Sequence, residues 1–229
     1  MSADGPRHAV VTGTSSGIGR AIAARLLHDG WRVSGLDIAG PSIAHPRFAA
    51  CRVDLADPAS ARAAAEAAAP ADALIHAAGI LRGGPVGAVP IEAASLMWRL
   101  HVAAAQALGA VLLPRMGEGG RVVLIGSRAA AGAPGRADYA ATKAALTGLA
   151  RSWAIELVAR GITVNVIAPA ATDTAMVRDP ARAEIPLRLP PSGRLIEPRE
   201  IAALAAFLLS AEARSITGQT IVVCAGASL

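Results

Sequence analysis

The chain has 229 residues, 53% of them hydrophobic, a size and composition that suit one domain with a large buried core and exclude an intrinsically disordered protein. Its formal charge of +5 does not indicate a nucleic-acid partner, because the arginines are spread singly along the chain and aromatic residues make up only 3% of it. No window approaches the roughly 18 uninterrupted apolar residues of a membrane span, and no apolar segment precedes the first strand-like run, so we expect a cytoplasmic protein without a membrane partner.

Apolar runs of strand length recur along the chain and alternate with alanine-rich stretches of helical periodicity. The predicted strands are 8–13, 31–36, 48–53, 73–78, 121–126, 162–167 and 220–225. The predicted helices are 18–29, 58–69, 91–113, 138–159 and 198–211. Because the strands are apolar on both faces and helices separate them, we predict a doubly wound α/β fold, a parallel sheet with helices on both faces, formed as a single domain by residues 1–229.

One segment near the C-terminus interrupts this alternation. Residues 172–197 contain four prolines and four arginines and show no sustained period. A loop of this length inside a compact domain usually covers a site or is disordered. We predict that it forms a lid over the substrate. Its arginines either bind an anionic substrate or are merely solvated; they are Arg178, Arg182, Arg188 and Arg194.

The first predicted strand runs directly into the glycine-rich sequence TGTSSGIG, which places Gly13, Gly17 and Gly19 at a strand-to-helix turn. Glycine is needed where such a turn bends sharply and where its backbone approaches a pyrophosphate, and the following helix supplies free N–H groups and a positive dipole end. Glycines also form purely structural turns, but the position between the first strand and a helix favours a dinucleotide cradle.

An aspartate at the end of the second strand indicates which dinucleotide binds. Asp37 can accept both hydroxyls of the adenosine ribose and would repel the extra phosphate of NADP. Ser16, in the glycine turn, offers no counter-charge for that phosphate, so the sequence favours NAD. Asp54, after the third strand, is placed either to contact the adenine or to cap the following helix.

The only tyrosine and the only lysine of the chain, Tyr139 and Lys143, lie four residues apart on a predicted helix. Side chains at this spacing emerge on the same face, one turn apart. A nearby ammonium stabilises a phenolate and lowers the pKa of the phenol, which prepares the tyrosine for acid-base catalysis near neutral pH. Ser127, at the end of the fifth predicted strand, supplies a neighbouring hydroxyl. We hypothesise that these three residues form a catalytic group.

Taken together and in this order, the motifs resemble the short-chain dehydrogenase/reductase family. The matching sequences are TGTSSGIG, HAAG, the GS that precedes YAATK, VNVIAPAATDTAM and ITGQTIVV, and they cover nearly the whole chain. The resemblance implies a Rossmann fold that binds NAD or NADP and transfers a hydride between the nicotinamide and a secondary alcohol or ketone. It also implies that Tyr139 is the general acid-base, that Ser127 holds the substrate oxygen, and that Lys143 tunes the tyrosine and binds the nicotinamide ribose.

The resemblance further implies a set of cofactor-binding residues and an oligomeric state. We expect NAD to contact Gly13, Ser15, Ser16, Gly17, Ile18, Gly19, Asp37, Asp54, Leu55, Ala78, Gly79, Tyr139, Lys143, Pro169, Thr172 and Thr174, and the backbone near Ile167. The family implies a homotetramer or homodimer in which the long helices 91–113 and 138–159 pack together. The two cysteines share no metal-ligand spacing, so we expect no metal site.

Two histidines depart from the family pattern where it usually has asparagine. His101 stands at a position that props a helix bulge and serves the proton relay, and its imidazole either relays a proton or is merely structural. For His76, in HAAG, we expect a structural role. Ser127 and Tyr139 are also one residue closer in sequence than is typical, which implies a shortened substrate loop.

The leading hypothesis is therefore an NAD-dependent oxidoreductase that acts on an alcohol or ketone. The alternative is a catalytically idle dinucleotide-binding protein that acts as a redox sensor or a scaffold. His101 favours this alternative, because the family usually has asparagine at that position. Ser127, Tyr139 and Lys143 oppose it, because they match the family pattern. Arg128, directly after the catalytic serine, is the arginine best placed to bind an acidic substrate.

Overall fold

Seven parallel strands form one sheet in this computed structural model, which describes residues 5–179 and 189–229. The strands are β1 (His8–Thr12), β2 (Arg32–Asp37), β3 (Phe48–Arg52), β4 (Ala73–His76), β5 (Arg121–Ile125), β6 (Thr163–Pro169) and β7 (Thr220–Val223). Their order across the sheet is β3-β2-β1-β4-β5-β6-β7, and every neighbouring pair is parallel. The doubly wound parallel sheet predicted from the sequence is confirmed.

Helices connect the strands on both faces of the sheet. They are α1 (Gly17–His28), α2 (Pro58–Ala68), α3 (Ile91–Trp98), α4 (Ala104–Arg115), α5 (Ala137–Leu157), α6 (Ala175–Arg178) and α7 (Pro198–Leu208). One buried apolar cluster joins α2, α4 and α5 to one face, and a second joins α1 and α7 to the other. Successive strand residues alternate between the clusters, as Val10 and Val11 do, which is why the strands are apolar at nearly every position.

The helix predicted over 91–113 is not uniform. A π-helical segment, Arg99–Ala103, joins α3 to α4, and its wider turn displaces the backbone around His101. Among the described residues, Ile91–Arg115 is the one helix that is long and apolar enough to cross a membrane by length and composition. However, 56% of its most apolar 18-residue window is buried inside the protein. A core helix passes the same test, so this feature is weak evidence for a span.

Only part of the predicted lid over 172–197 lies within the described residues. Its first part contains the one-turn helix α6, and Thr172 pairs with Ile196 in an isolated parallel bridge, so the two ends of the segment lie side by side. Residues 180–188, with Arg182 and Arg188, lie outside the described residues. The lid therefore stays a prediction.

Candidate active site

A cavity of about 1220 Å³ lies at the carboxyl ends of the parallel strands. It is lined by residues that follow each of the seven strands, including Ala227 beyond β7. The strand order reverses between β1 and β4, and open α/β sheets bind ligands in the crevice outside the strand ends at such a point. The loops that the sequence marks as glycine-rich or polar therefore meet around one space.

Glycine is required at three points of the turn between β1 and α1. Gly13 and Gly17 have φ angles of 72° and 54°, in the left-handed region that favours glycine. A Cβ on Gly13 would lie 3.0 Å from the backbone nitrogen of Ala78, and a Cβ on Gly19 would lie 2.2 Å from the carbonyl oxygen of Gly13. The second contact is a steric overlap with backbone, so α1 can pack against this turn only with glycine at that position.

The N-terminus of α1 opens into the cavity. Ser16 occupies the N-cap position with extended backbone angles, but within the described part of the chain its side chain makes no capping hydrogen bond, and the first turn of α1 has no acidic residue. Ser16, Gly17, Ile18 and Gly19 all line the cavity. Such a helix end fits the pyrophosphate of a dinucleotide, because the phosphate oxygens would accept its N–H groups and complement its dipole.

Asp37 lines the cavity at the end of β2 and also holds the glycine turn in place. Its two carboxylate oxygens accept the backbone N–H groups of Ser15 (2.8 Å) and Ala39 (2.9 Å). The Ser15 hydroxyl donates to the carbonyl of Gly40 (2.9 Å). Ser15, a predicted cofactor contact, does not line the cavity and instead fixes the shape of the turn.

Asp54 and Leu55 line the cavity beyond β3. The Asp54 carboxylate accepts the backbone N–H of Ala56 (2.9 Å) within its own turn. The cap of α2 is Asp57, whose carboxylate accepts two N–H groups of the first helical turn. The interpretation of Asp54 as the helix cap is therefore wrong, and its contact with an adenine ring stays a prediction.

Ser127, Tyr139 and Lys143 line the opposite end of the cavity. Tyr139 and Lys143 emerge from α5, and both side chains are almost fully buried. Lys143 Nζ donates to the carbonyl of Ile125 (2.8 Å) and lies 5.9 Å from the centre of the Tyr139 ring. The Ser127 hydroxyl accepts the N–H of Ala129 (3.1 Å) at the start of a short 3₁₀ helix, which leaves its own proton available to a substrate.

Burial lowers the pKa of Lys143 to about 7. Its hydrogen-bond acceptor, the carbonyl of Ile125, is neutral and does not offset the loss of hydration as a carboxylate would. A lysine with a pKa near 7 can take up and release a proton at neutral pH. The charge on this side chain therefore depends on pH and on what binds beside it.

His101 lies in the π-helical segment, fully buried behind the cavity wall. Its Nε2 accepts the backbone N–H of Ile80 (3.1 Å), so the hydrogen-bond pattern assigns the ring proton to Nδ1, which donates to the Thr142 hydroxyl (2.8 Å). The Thr142 hydroxyl in turn donates to the carbonyl of Tyr139 (2.8 Å). Burial, with Lys143 nearby, holds the pKa of His101 well below its usual value. The ring is therefore neutral and engaged at both nitrogens.

His76 connects the same region to the centre of the sheet. The Thr12 hydroxyl accepts the N–H groups of Ala77 and Ala78 (2.9 Å each) and donates its own proton to Nδ1 of His76 (3.1 Å). Nε2 of His76 then donates to the carbonyl of Leu100 in the π-helical segment (3.1 Å). Burial lowers the pKa of His76 to about 4, so this ring is also neutral at physiological pH. His76 therefore links β1 and β4 to the π-helical segment, and His101 links that segment to α5.

The structure brings nearly all of the predicted site residues to one cavity. Those that line it are Gly13, Ser16, Gly17, Ile18, Gly19, Asp37, Asp54, Leu55, Ala78, Gly79, Ser127, Tyr139, Lys143, Pro169, Thr172 and Thr174. Ser15 and His101 do not line it. The Ile167 carbonyl accepts the N–H of Gly126 (2.8 Å) within the sheet, and a cofactor contact by the backbone near Ile167 stays a prediction.

Sequence reasoning missed Thr12 and Thr142, whose hydroxyls connect the two histidines to the site. A weak signal existed for Thr142, because threonine is a poor helix former and often bonds a preceding carbonyl with its hydroxyl, here that of Tyr139. For Thr12 there was no usable signal, since its partner His76 lies 64 residues away in the chain.

Comparisons with known proteins cover nearly the whole chain. A family model described as enoyl-(acyl carrier protein) reductase matches residues 13–228. The 3-oxoacyl-(acyl-carrier-protein) reductase FabG of Salmonella typhimurium strain LT2 is 36% identical over 242 residues, 99% of this chain and 98% of that protein. A solved 3-ketoacyl-(acyl-carrier-protein) reductase of Brucella melitensis, complexed with NADH, has a TM-score of 0.89 at 28% identity and covers 98% of this chain and 99% of its own. A blue fluorescent protein from a metagenomic library, in complex with NADPH, has a TM-score of 0.86 at 33% identity with the same coverage.

Proposed function

Since the chain belongs to the short-chain dehydrogenase/reductase family of oxidoreductases, we propose that it transfers a hydride between NAD and a secondary alcohol or ketone. The observation that supports this most directly is a single cavity with a glycine-rich helix N-terminus at one end and Ser127, Tyr139 and Lys143 at the other. A dinucleotide bound there would supply or accept the hydride at its nicotinamide ring. The protein must then position the substrate oxygen and transfer one proton.

Tyr139 is the proposed general acid-base, because it lines the cavity and the buried Nζ of Lys143 lies 5.9 Å from its ring centre. A positive charge at Lys143 stabilises the phenolate and makes the phenol a better proton donor and acceptor. Ser127 donates its hydroxyl proton to the substrate oxygen, which polarises a ketone for reduction and holds an alcohol for oxidation. Lys143 would also bind the hydroxyls of the nicotinamide ribose.

In this proposal His101 is a positioning residue and not a proton relay. A proton that passed through its ring would break the hydrogen bond from Ile80 at one nitrogen and the bond to Thr142 at the other. Through Thr142, His101 instead holds the carbonyl of Tyr139 and so fixes the first turns of α5 against the π-helical segment.

The preference for NAD over NADP is supported by Asp37. Each carboxylate oxygen accepts one backbone N–H and keeps a further lone pair for a ribose hydroxyl. The same negative charge would repel a 2′-phosphate. One related solved structure contains NADH and another contains NADPH, so these relatives favour neither dinucleotide. The proposed preference of this chain therefore rests on Asp37.

We also propose that the protein is a cytoplasmic homotetramer or homodimer. Trp98 on α3 and Ile155 on α5 are 49% and 76% exposed, and both helices belong to the region that the family resemblance assigns to the subunit interface. Association would remove this apolar surface from water. Light scattering after size-exclusion chromatography measures the state, and a monomer at every concentration would contradict the proposal.

Tyr139→Phe tests the proposed chemistry. The substitution removes only the hydroxyl, so NADH binding measured by fluorescence titration should persist while turnover falls by about 10²- to 10⁴-fold. Turnover is followed by NADH absorbance with a panel of polyols, sugars, hydroxy acids and sterols. Full activity in the variant would reject the role of Tyr139. Tight NADH binding by the wild-type protein without turnover of any panel member would favour the catalytically idle alternative.

A further inference from the structure

The two ends of the cavity carry opposite charge. Asp37 and Asp54 lie at the end formed by the loops after β2 and β3. Arg128 and Arg136 line the end that contains Ser127. The end proposed to hold the substrate is therefore basic, in contrast to the end proposed to hold adenosine.

Among the arginines around this end, Arg128 has an unusual environment. Arg82 lies 3.1 Å from Asp179, and Arg178 pairs with Asp173. The Arg128 side chain is half-buried and lines the cavity, yet its guanidinium makes no ion pair and no hydrogen bond with any residue in 5–179 or 189–229. A guanidinium that lines a cavity without an ion pair keeps its N–H donors available to an anionic ligand.

The backbone holds Arg128 in a defined place. It is the first residue of the short 3₁₀ helix Arg128–Ala131, and the Ser127 hydroxyl caps that helix by accepting the N–H of Ala129. Ser127, which would hold the substrate oxygen, and Arg128 are thus neighbours on one ordered turn. The planar fork of an arginine matches the two oxygens of a carboxylate, which a lysine ammonium does not.

We infer that the substrate is an oxo acid or hydroxy acid whose carboxylate binds Arg128 while its carbonyl or hydroxyl oxygen binds Ser127. This inference rests on the proposed function and adds the substrate class to it. Binding of the substrate at two points orients the reacting carbon, as two fixed contacts remove rotational freedom before the chemical step.

The test compares 3-oxobutanoate and 4-oxopentanoate with their methyl esters, which keep the ketone and lack the charge. Dissociation constants for the enzyme–NADH complex are measured from the initial change in NADH fluorescence after rapid mixing, before any turnover oxidises NADH, so the readout does not depend on catalysis. The wild-type protein should bind at least one acid about 10- to 100-fold more tightly than its ester, and Arg128→Leu should lose that preference. Arg128→Lys keeps the charge without the fork and should retain only part of the preference.

Arg62→Leu is the matched control, because Arg62 is exposed on α2, does not line the cavity, and carries the same charge. This variant should keep the wild-type preference, and NADH affinity in Arg128→Leu should stay unchanged. Equal or undetectable binding of acids and esters by the wild-type protein, or an unchanged preference in Arg128→Leu, overturns the inference. Turnover is scored separately: tight acid binding without turnover of acid or ester counts against the proposed function and leaves the anion site standing.

Discussion

The buried lysine beside Tyr139, the proposed general acid-base, has a charge that varies within the ordinary working range of pH. Burial disfavours its ammonium form and places the pKa of Lys143 at about 7, below the usual value of 10.5. Between these two pH values the unfolded chain holds the proton and the folded chain does not. The free energy of unfolding should therefore rise with pH across this window and lose that contribution as the pH falls towards 7.

Lys143→Met should remove this part of the pH dependence, because methionine fills similar space without a titrating group. Relative to the variant, the wild-type protein should gain about 1 kcal/mol in free energy of unfolding per pH unit within this window. Urea unfolding of both proteins without dinucleotide, at several pH values, measures the difference. If the free energy of unfolding changed equally with pH in both proteins, Lys143 would be charged in the folded protein throughout this window.

His101→Gln and His101→Leu separate a positioning role from a proton relay. The glutamine oxygen can still accept the N–H of Ile80, whereas leucine leaves that donor without its partner. We expect His101→Gln to keep the wild-type pH dependence of kcat at a lower rate, and His101→Leu to lose about 1–3 kcal/mol of stability. A relay through the ring would instead remove the same limb of the pH–rate profile in both variants.

The turn between β1 and α1 is the element in which a single methyl group should be most disruptive. In Gly19→Ala the new Cβ would lie 2.2 Å from the carbonyl oxygen of Gly13, so the helix must move away from the turn. We expect loss of NADH binding by calorimetric titration and a lower melting temperature.

Gly148→Ala is the control for that substitution, because Gly148 lies on α5 and a Cβ there has no neighbour within 4 Å. Replacing a glycine inside a helix should stabilise this variant by up to about 1 kcal/mol, with NADH affinity unchanged. Wild-type NADH affinity in Gly19→Ala would show that the turn adapts and that it does not form the cradle proposed for the pyrophosphate.

Strands and helices could be predicted here because each carries its own apolar pattern. That Tyr139 and Lys143 share one cavity could be predicted because they are unique in the chain and lie one helical turn apart. The π-helical segment could not be predicted. Arg99–Ala103 contains neither glycine nor proline, and its distinctive hydrogen bonds come from His76 and Ile80, which lie 24 and 21 residues from their partners. Long-range bonds of this kind leave no local signal in the sequence.

The cavity proposed to bind the dinucleotide is lined by residues that follow each of the seven strands, so it connects the helices of both faces through one sheet. A ligand that binds only the folded protein stabilises all of it together, by about 2.7 kcal/mol when present at 100 times its dissociation constant. NADH should therefore raise the melting temperature of the protein as a whole, and thermal unfolding reports dinucleotide binding without knowledge of the substrate.

At equal concentration, NADPH should raise the melting temperature less than NADH does, because the Asp37 carboxylate repels the 2′-phosphate. Asp37→Asn removes the charge, so it should narrow the difference between the melting-temperature shifts caused by NADH and NADPH. It keeps only one of the two acceptor oxygens for Ser15 and Ala39, so the protein without dinucleotide should also melt at a lower temperature. Asp57→Asn removes the same charge at the cap of α2, outside the cavity, where asparagine caps as well as aspartate, so it should leave the difference between the two shifts unchanged. Equal shifts from NADH and NADPH in the wild-type protein would refute the NAD preference, and no shift from either would refute dinucleotide binding itself.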